Sequence, residues 1–188
     1  MQIIVRCHPK RQNCIDYLQK YLPKETIFSN DINSDGARAN FLNALTLAGN
    51  ESCLHLEEDI YLTQDFLEKV TSVVKKYPNM AIQFYSQNKS DLLTGSRLDA
   101  DFLGCLCFYL PPTYSAKLLE YFPLWPGKDN QPVGSDLMIR AFLKSINKPY
   151  FLSIPSLVQH RDEEELSLID PNKPKGRQSP TFIQGIYK

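Results

Sequence analysis

The chain has 188 residues, 43% hydrophobic and 22% charged, which is ordinary globular composition and enough chain for one substantial core. Lysine plus arginine equals aspartate plus glutamate at 21 each, so a whole-molecule basic field for gripping nucleic acid is excluded. No apolar stretch approaches the roughly 20 residues of a membrane span, and "MQIIVRCHPK" lacks the long apolar run of a signal peptide, so a cytoplasmic protein is expected.

"QIIVRCH" (2–8) is a short β-branched strand, and "RQNCIDYLQKYL" (11–22) places Cys14, Ile15, Leu18, Tyr21 and Leu22 at helical spacing. "ETIFSN" (25–30) reads as a second strand. "GARANFLNALTLAG" (36–49) reads as a helix with Phe41, Leu42 and Leu45 on one face and Gly49 to stop it. "SCLHLEED" is the third strand. "TQDFLEKVTSVVKKYP" (63–78) is the third helix, with Thr63 as its cap and Lys75, Lys76 and Pro78 at its end. "AIQFYS" (81–86) is a fourth strand.

Strands alternating with helices predict an α/β fold with a mostly parallel, twisted sheet flanked by helices. The second half adds a strand at 101–111 and a short helix at 113–122. A Pro- and Gly-rich loop (123–134), a helix at 135–147 and a last strand at 149–156 follow. The tail from Pro171 carries Lys173, Lys175, Arg177 and Lys188 and no acid. Five cysteines, at 7, 14, 53, 105 and 107, show no Cys-x-x-Cys spacing, so they read as reduced thiols rather than a zinc site or a disulfide framework.

The stretch "CLHLEEDIYL" (53–62) ends a buried strand in three consecutive acids, Glu57, Glu58 and Asp59. Burial and mutual repulsion both disfavour such a run. In a parallel sheet the ligand crevice lies beyond the carboxyl ends of the strands, and these acids belong there. Alternation along the strand predicts Glu57 and Asp59 on one side and Glu58 on the other. Two readings stand at this point. The acids form a solvated cap for the next helix, or they help hold a hard divalent cation through oxygen ligands.

"LHLEEDI" resembles the acidic metal motif of glycosyltransferases with the GT-A fold, often Asp-x-Asp or Leu-Glu-Asp-Asp. "GARANFLNALTLAGNESCLHLEED" is similar to the helix and strand that precede that motif. "FLGCLCFYLPPTYSAKLLEYF" looks like the segment with the family's glycine loop, which gives Gly104 that role. "VGSDLMIRAFL" is similar to the acid-bearing helix start of the acceptor half, with Ser135-Asp136 where the family carries two acids. "IPSLVQH" resembles the late strand ending in a metal-ligand histidine, His160. The four motifs follow the family's order from 36 to 160, and "RQSPTFI" is similar to small members of bacterial and phage origin.

The resemblance implies a single GT-A-like domain, with 1–100 as the nucleotide-sugar-binding half, 101–170 as the acceptor-side half and 171–188 as a basic tail. It implies a nucleoside diphosphate sugar donor, a UDP-sugar first, and Mn²⁺ or Mg²⁺ held by Asp59 and His160. The metal would act as a Lewis acid on the departing diphosphate. Asp136 would take the proton from an acceptor hydroxyl, which implies inversion. Arg6, His8, Asp31, Arg38, Glu57, Glu58 and Gly104 complete the expected donor site. The acceptor is a glycan, a small molecule or a modified DNA base. The basic tail is either a solvated terminus or a cover for the diphosphate.

Two other readings compete. A nucleotidyltransferase also uses an acidic metal site on a related sheet, but normally with a glycine-rich phosphate loop after the first strand, and "RCHPKRQNC" has no glycine. A catalytically silent domain of the same fold would bind a nucleotide or a partner without turnover.

Overall fold

A computed structural model of the chain describes residues 1–33, 35–128, 134–161 and 177–183. The tail lysines Lys173, Lys175 and Lys188 lie outside the described residues, whereas Arg177 lies within them. The first three strands are β1 (Gln2–Cys7), β2 (Ile27–Asn30) and β3 (Cys53–Glu57), connected by helices α1 (Gln12–Tyr21) and α2 (Ala37–Ala48). A short strand β4 (Ile60–Leu62) leads to α3 (Phe66–Lys76) and β5 (Ile82–Gln83). Next come α4 (Asp91–Thr94), β6 (Arg97–Asp99), β7 (Cys107–Leu110) and α5 (Tyr114–Tyr121). Helix α6 (Ser135–Ser145) and strands β8 (Tyr150–Leu152) and β9 (Val158–His160) complete the described elements.

Among the described residues the main sheet has seven strands in the order β2-β1-β3-β7-β5-β8-β6. β1 is parallel to β2 and β3, and β5 is parallel to β8. β7 runs against both β3 and β5, and β6 against β8. Five strands therefore share one direction and two oppose it. The expected mostly parallel sheet is present, as a mixed one, because the strand read at 101–111 enters antiparallel between β3 and β5. That strand is also shorter than its apolar run and occupies Cys107–Leu110.

Both faces of the sheet are covered, as the continuous apolar runs require. Val5, Leu54, Leu56, Cys107 and Tyr109 pack with Leu18 of α1 and Val70 of α3. On the opposite face Phe108 and Leu110 pack with Phe41 and Leu45 of α2, Leu118 of α5 and Phe142 of α6. Alternate residues of β7 thus feed two cores, which is period-2 geometry at work. Gly49 ends α2 at φ 55°, its N–H bonding Leu45 O, as the sequence predicts.

Thr63 does not cap α3. The helix begins at Phe66 behind Asp65, and no side chain caps it. Thr63 instead continues β4, which pairs antiparallel with β9 in a separate two-stranded sheet. Its N–H bonds Leu157 O, and its hydroxyl donates to Ile183 O. No side chain caps α6 either. Gly134 precedes that helix, and the Asp136 carboxylate accepts the N–H of Leu137 instead.

Candidate functional site

The carboxyl ends of β1 and β3 open into a cleft of about 650 Å³. Its walls come from Arg6 to His8 at the end of β1, Lys10 and Arg11 in the turn before α1, Asp31 after β2 and Asn40 on α2. Glu57, Glu58 and Asp59, Tyr85 and Gln87, the 103–106 loop, Gly134 to Asp136 and Arg177 close it. Eight of the ten residues singled out in the sequence therefore line one cleft: Arg6, His8, Asp31, Glu57, Glu58, Asp59, Gly104 and Asp136. His160 and Arg38 are not among its walls.

The three acids are held by cations of the chain. β1 and β3 pair with Arg6 opposite Glu57, and the Arg6 guanidinium lies 3.1 Å from Glu57 Oε1. The same Nη2 donates to Cys105 O at 2.6 Å, and the guanidinium lies over the rings of Phe41 and Phe108. Arg11 Nη1 binds Glu58 Oε1 at 3.2 Å and Asp59 Oδ2 at 2.5 Å. The predicted alternation fails beyond Glu57 because β3 ends there. Glu58 and Asp59 converge on one arginine, and Glu58, expected to face away, lines the cleft.

Burial and the neighbouring charge of Asp59 push Glu58 up to about 7, against the pull of Arg11. Burial acts upward on Asp59 too. Arg11 and Arg177 around the carboxylate outweigh it and hold Asp59 below the usual carboxylate range.

His160 reaches Asp59 through the small sheet. In the β4–β9 ladder Ile60 lies opposite His160, so the residue before Ile60 meets the end of β9. His160 Nε2 is 3.3 Å from Asp59 Oδ2. It is also 2.6 Å from Arg177 Nη2. A guanidinium carries only donors, so at that distance Nε2 is the unprotonated, accepting nitrogen.

A divalent cation fits this donor set in a specific way. Asp59 Oδ1 is buried and has no hydrogen-bond partner. An imidazole nitrogen and carboxylate oxygens this close suit one shared ion. Among the described residues no group of three or more His, Cys, Asp or Glu gathers around a metal position. The remaining positions would fall to ligand oxygens and water.

Asp136 is built in from the other side. Its Oδ2 accepts the N–H of Gly104 at 2.9 Å, and Oδ1 accepts Leu137 N–H at 3.0 Å. Gly104 sits at φ 86°, and a Cβ there would meet the Tyr85 ring at 3.4 Å. A Cβ on Gly134 would lie 2.3 Å from Asp136 Oδ1. Both glycines are therefore requirements of the Asp136 pocket, and Gly104 acts through its backbone.

Asp31 accepts from Asp35 N–H and Gly36 N–H at 2.8 and 2.9 Å, and so shapes the loop entering α2. His8 Nδ1 accepts from Lys10 N–H at 3.2 Å and orders the turn that presents Arg11. Arg38, expected near the diphosphate, instead lies over Trp125 at 5.5 Å and donates to Lys128 O.

Arg11 was not apparent from sequence, although the basic pair Lys10 and Arg11 in the turn after the first strand was the available signal. Asn40 was not singled out in the sequence either. It donates to Cys7 O and accepts from Ser29 Oγ, tying β1 and β2 to α2.

No family model matches the chain, and no curated protein matches it. Solved structures do. One is UDP-glucose pyrophosphorylase complexed with UDP-glucose, at 13% identity and TM-score 0.54, covering 84% of this chain and 74% of that one. Another is a protein from STIV at 15% identity and TM-score 0.54, covering 100% and 99%. The neighbour named for its reaction is a pyrophosphorylase and neither is named as a glycosyltransferase, so of the expected resemblance only the α/β fold is shown. At these identities the finding is one of architecture: the chain shares its α/β fold, with a mostly parallel mixed sheet, with these two proteins.

Proposed function

We propose that the chain is a transferase acting on nucleotide sugars, with its donor in the cleft at the carboxyl ends of β1 and β3. The observation that carries this reading is the meeting of Asp59 and His160 at a cleft whose walls also include Asp136, in a fold similar to a protein solved with UDP-glucose. Asp59 and His160 would hold Mn²⁺ or Mg²⁺, which supplies charge neutralisation for a diphosphate. Arg6 and Glu57, fixed to one another at the carboxyl ends of β1 and β3, line the same cleft as Asp31 and His8, which would shape the pocket for the nucleoside.

Two transfers are compatible with such a donor. Nucleotidyl transfer, which joins a nucleoside triphosphate and a sugar phosphate and releases pyrophosphate, is supported by the likeness to UDP-glucose pyrophosphorylase. Glycosyl transfer to an acceptor hydroxyl is favoured by a different observation. The turn after β1 is Pro9–Arg11 without a glycine, and Arg11 is engaged with Glu58 and Asp59. That turn offers little of the backbone nest that wraps a triphosphate. In this second reading Asp136, whose two oxygens are oriented by N–H donors, is the base.

The reactions separate by product. UDP-glucose and Mn²⁺ with pyrophosphate should yield UTP and glucose 1-phosphate in the first reading, and UDP with free or transferred glucose in the second. Binding of UDP-glucose without turnover across a donor panel would make this a silent binding domain. Failure of every nucleotide and nucleotide sugar to raise the melting temperature, with and without metal, would end the proposal.

A further inference from the structure

We propose that Arg177 is a built-in stand-in for the metal: its guanidinium occupies the lone pair of His160 Nε2 that a divalent ion would take, so arginine and metal exclude each other there. This rests on the reading of Asp59 and His160 as the cation's holders. Arg177 Nη2 lies 2.6 Å from Nε2, and Asp59 Oδ2 lies 3.3 Å from the same atom. Arg177 is part of the cleft wall and His160 is not, so the guanidinium covers the imidazole from the cleft side. One lone pair cannot serve two cations, and a positive ion beside a guanidinium is repelled.

The backbone that delivers Arg177 is fixed independently of its side chain. Tyr85 OH donates to Arg177 O. Two residues on, Ser179 N–H donates to Gln159 Oε1 at 2.8 Å, and Ser179 Oγ donates to Ser156 Oγ at 2.8 Å. Thr181 Oγ1 accepts Ser156 N–H at 3.0 Å, and Thr63 Oγ1 donates to Ile183 O. Exchange therefore needs rotation of one long side chain, with its anchor left in place.

The arrangement has a chemical consequence. With no ligand bound, Arg177 holds His160 in the ligating tautomer and supplies positive charge beside Asp59. A diphosphate entering the cleft offers the guanidinium a better anionic partner. His160 is then released to the metal that accompanies the diphosphate. Metal alone is thereby disfavoured, and metal together with donor is favoured.

The test is direct titration of Mn²⁺ alone, followed by electron paramagnetic resonance and calorimetry, on the full chain. Arg177→Ala should bind Mn²⁺ about tenfold more tightly than wild type, equivalent to about 1.4 kcal/mol. Arg177→Gln, which keeps much of the packing and removes the charge, should shift in the same direction and carries the test if the alanine variant is unstable. Asp59→Asn should lose most Mn²⁺ binding. A gain in metal affinity is an effect that mere structural damage does not produce. Equal or weaker Mn²⁺ binding by both Arg177 variants overturns the inference and leaves the metal reading standing. Mn²⁺ binding by Asp59→Asn equal to wild type, or by none of the proteins, overturns the metal reading and the inference with it.

Discussion

At the scale of single residues, the cleft is governed by groups whose conformation or charge leaves little freedom. Gly104 combines a left-handed φ of 86° with the Tyr85 ring 3.4 Å from any added Cβ. Gly104→Ala should cost about 1–2 kcal/mol from backbone strain, measured by urea denaturation, and should also weaken the N–H contact that holds Asp136. Asp136→Asn keeps the side-chain shape, removes the base and leaves only one of its two N–H contacts with an acceptor. In the glycosyl-transfer reading it should bind UDP as wild type does in a thermal shift and lose transfer.

His55 gives a pH prediction away from the metal position. It is fully buried, stacked on Phe108 at 4.9 Å, and neither ring nitrogen has a partner. Burial, with the nearby charge of Arg6, lowers it to about 3. A histidine depressed in the folded state stabilises above its unfolded value near 6.5, and that stability is lost as pH falls toward 3. The protein should be about 2 kcal/mol less stable at pH 5 than at pH 7 on account of this residue. His55→Leu should flatten that difference in paired urea titrations. Equal slopes for the two proteins would refute the assignment.

At the scale of elements, the strands and helices were legible because their apolar spacing is strong. The stripes of α1 and α3 and the glycine stop of α2 sit where periodicity places them. Two features were hidden from local pattern. β4 is three residues long, too short for alternation to speak, yet its pairing with β9 is what carries His160 to Asp59. The direction of β7 is equally invisible, since an apolar run reads the same in either orientation. Arg38 illustrates the third gap: a position on a helix predicts a face, not the partner that wins, and here Trp125 wins.

The C-terminal segment from Arg177 to Ile183 is an element without regular structure, docked by hydroxyls. Ser156, Ser179 and Thr181 form a buried cluster in which each hydroxyl touches another. Thr181→Val strands its neighbours and should cost about 1–2 kcal/mol. Because the segment is a local unit, the loss should appear as faster amide exchange at Ser179 and Thr181, with the exchange of β1 and β3 unchanged. Uniform acceleration across the sheet would refute that local docking.

At the scale of the whole molecule, all five cysteines are reduced thiols and buried. Burial raises Cys7, Cys53, Cys105 and Cys107 above the ordinary thiol range. Reactivity follows the exposed thiolate. A disulfide reagent should therefore titrate five thiols in denaturant and almost none in the native protein over minutes; rapid native labelling would contradict the packing of β7. Residues before and after position 100 interlock at that strand, because β7 lies between β3 and β5. The order has a consequence in time. During synthesis β3 and β5 leave the ribosome with bare hydrogen-bonding edges, and both wait for one strand that ends at Leu110. Until it arrives the nascent chain carries one three-stranded half-sheet and an unpaired β5, whose other partner, β8, is made later still, and each bare edge is a template for pairing with a neighbouring chain. Arrest of translation before residue 107 should accordingly yield a chaperone-bound, aggregation-prone product, and translation past residue 152, which completes β8, should let the sheet close on itself.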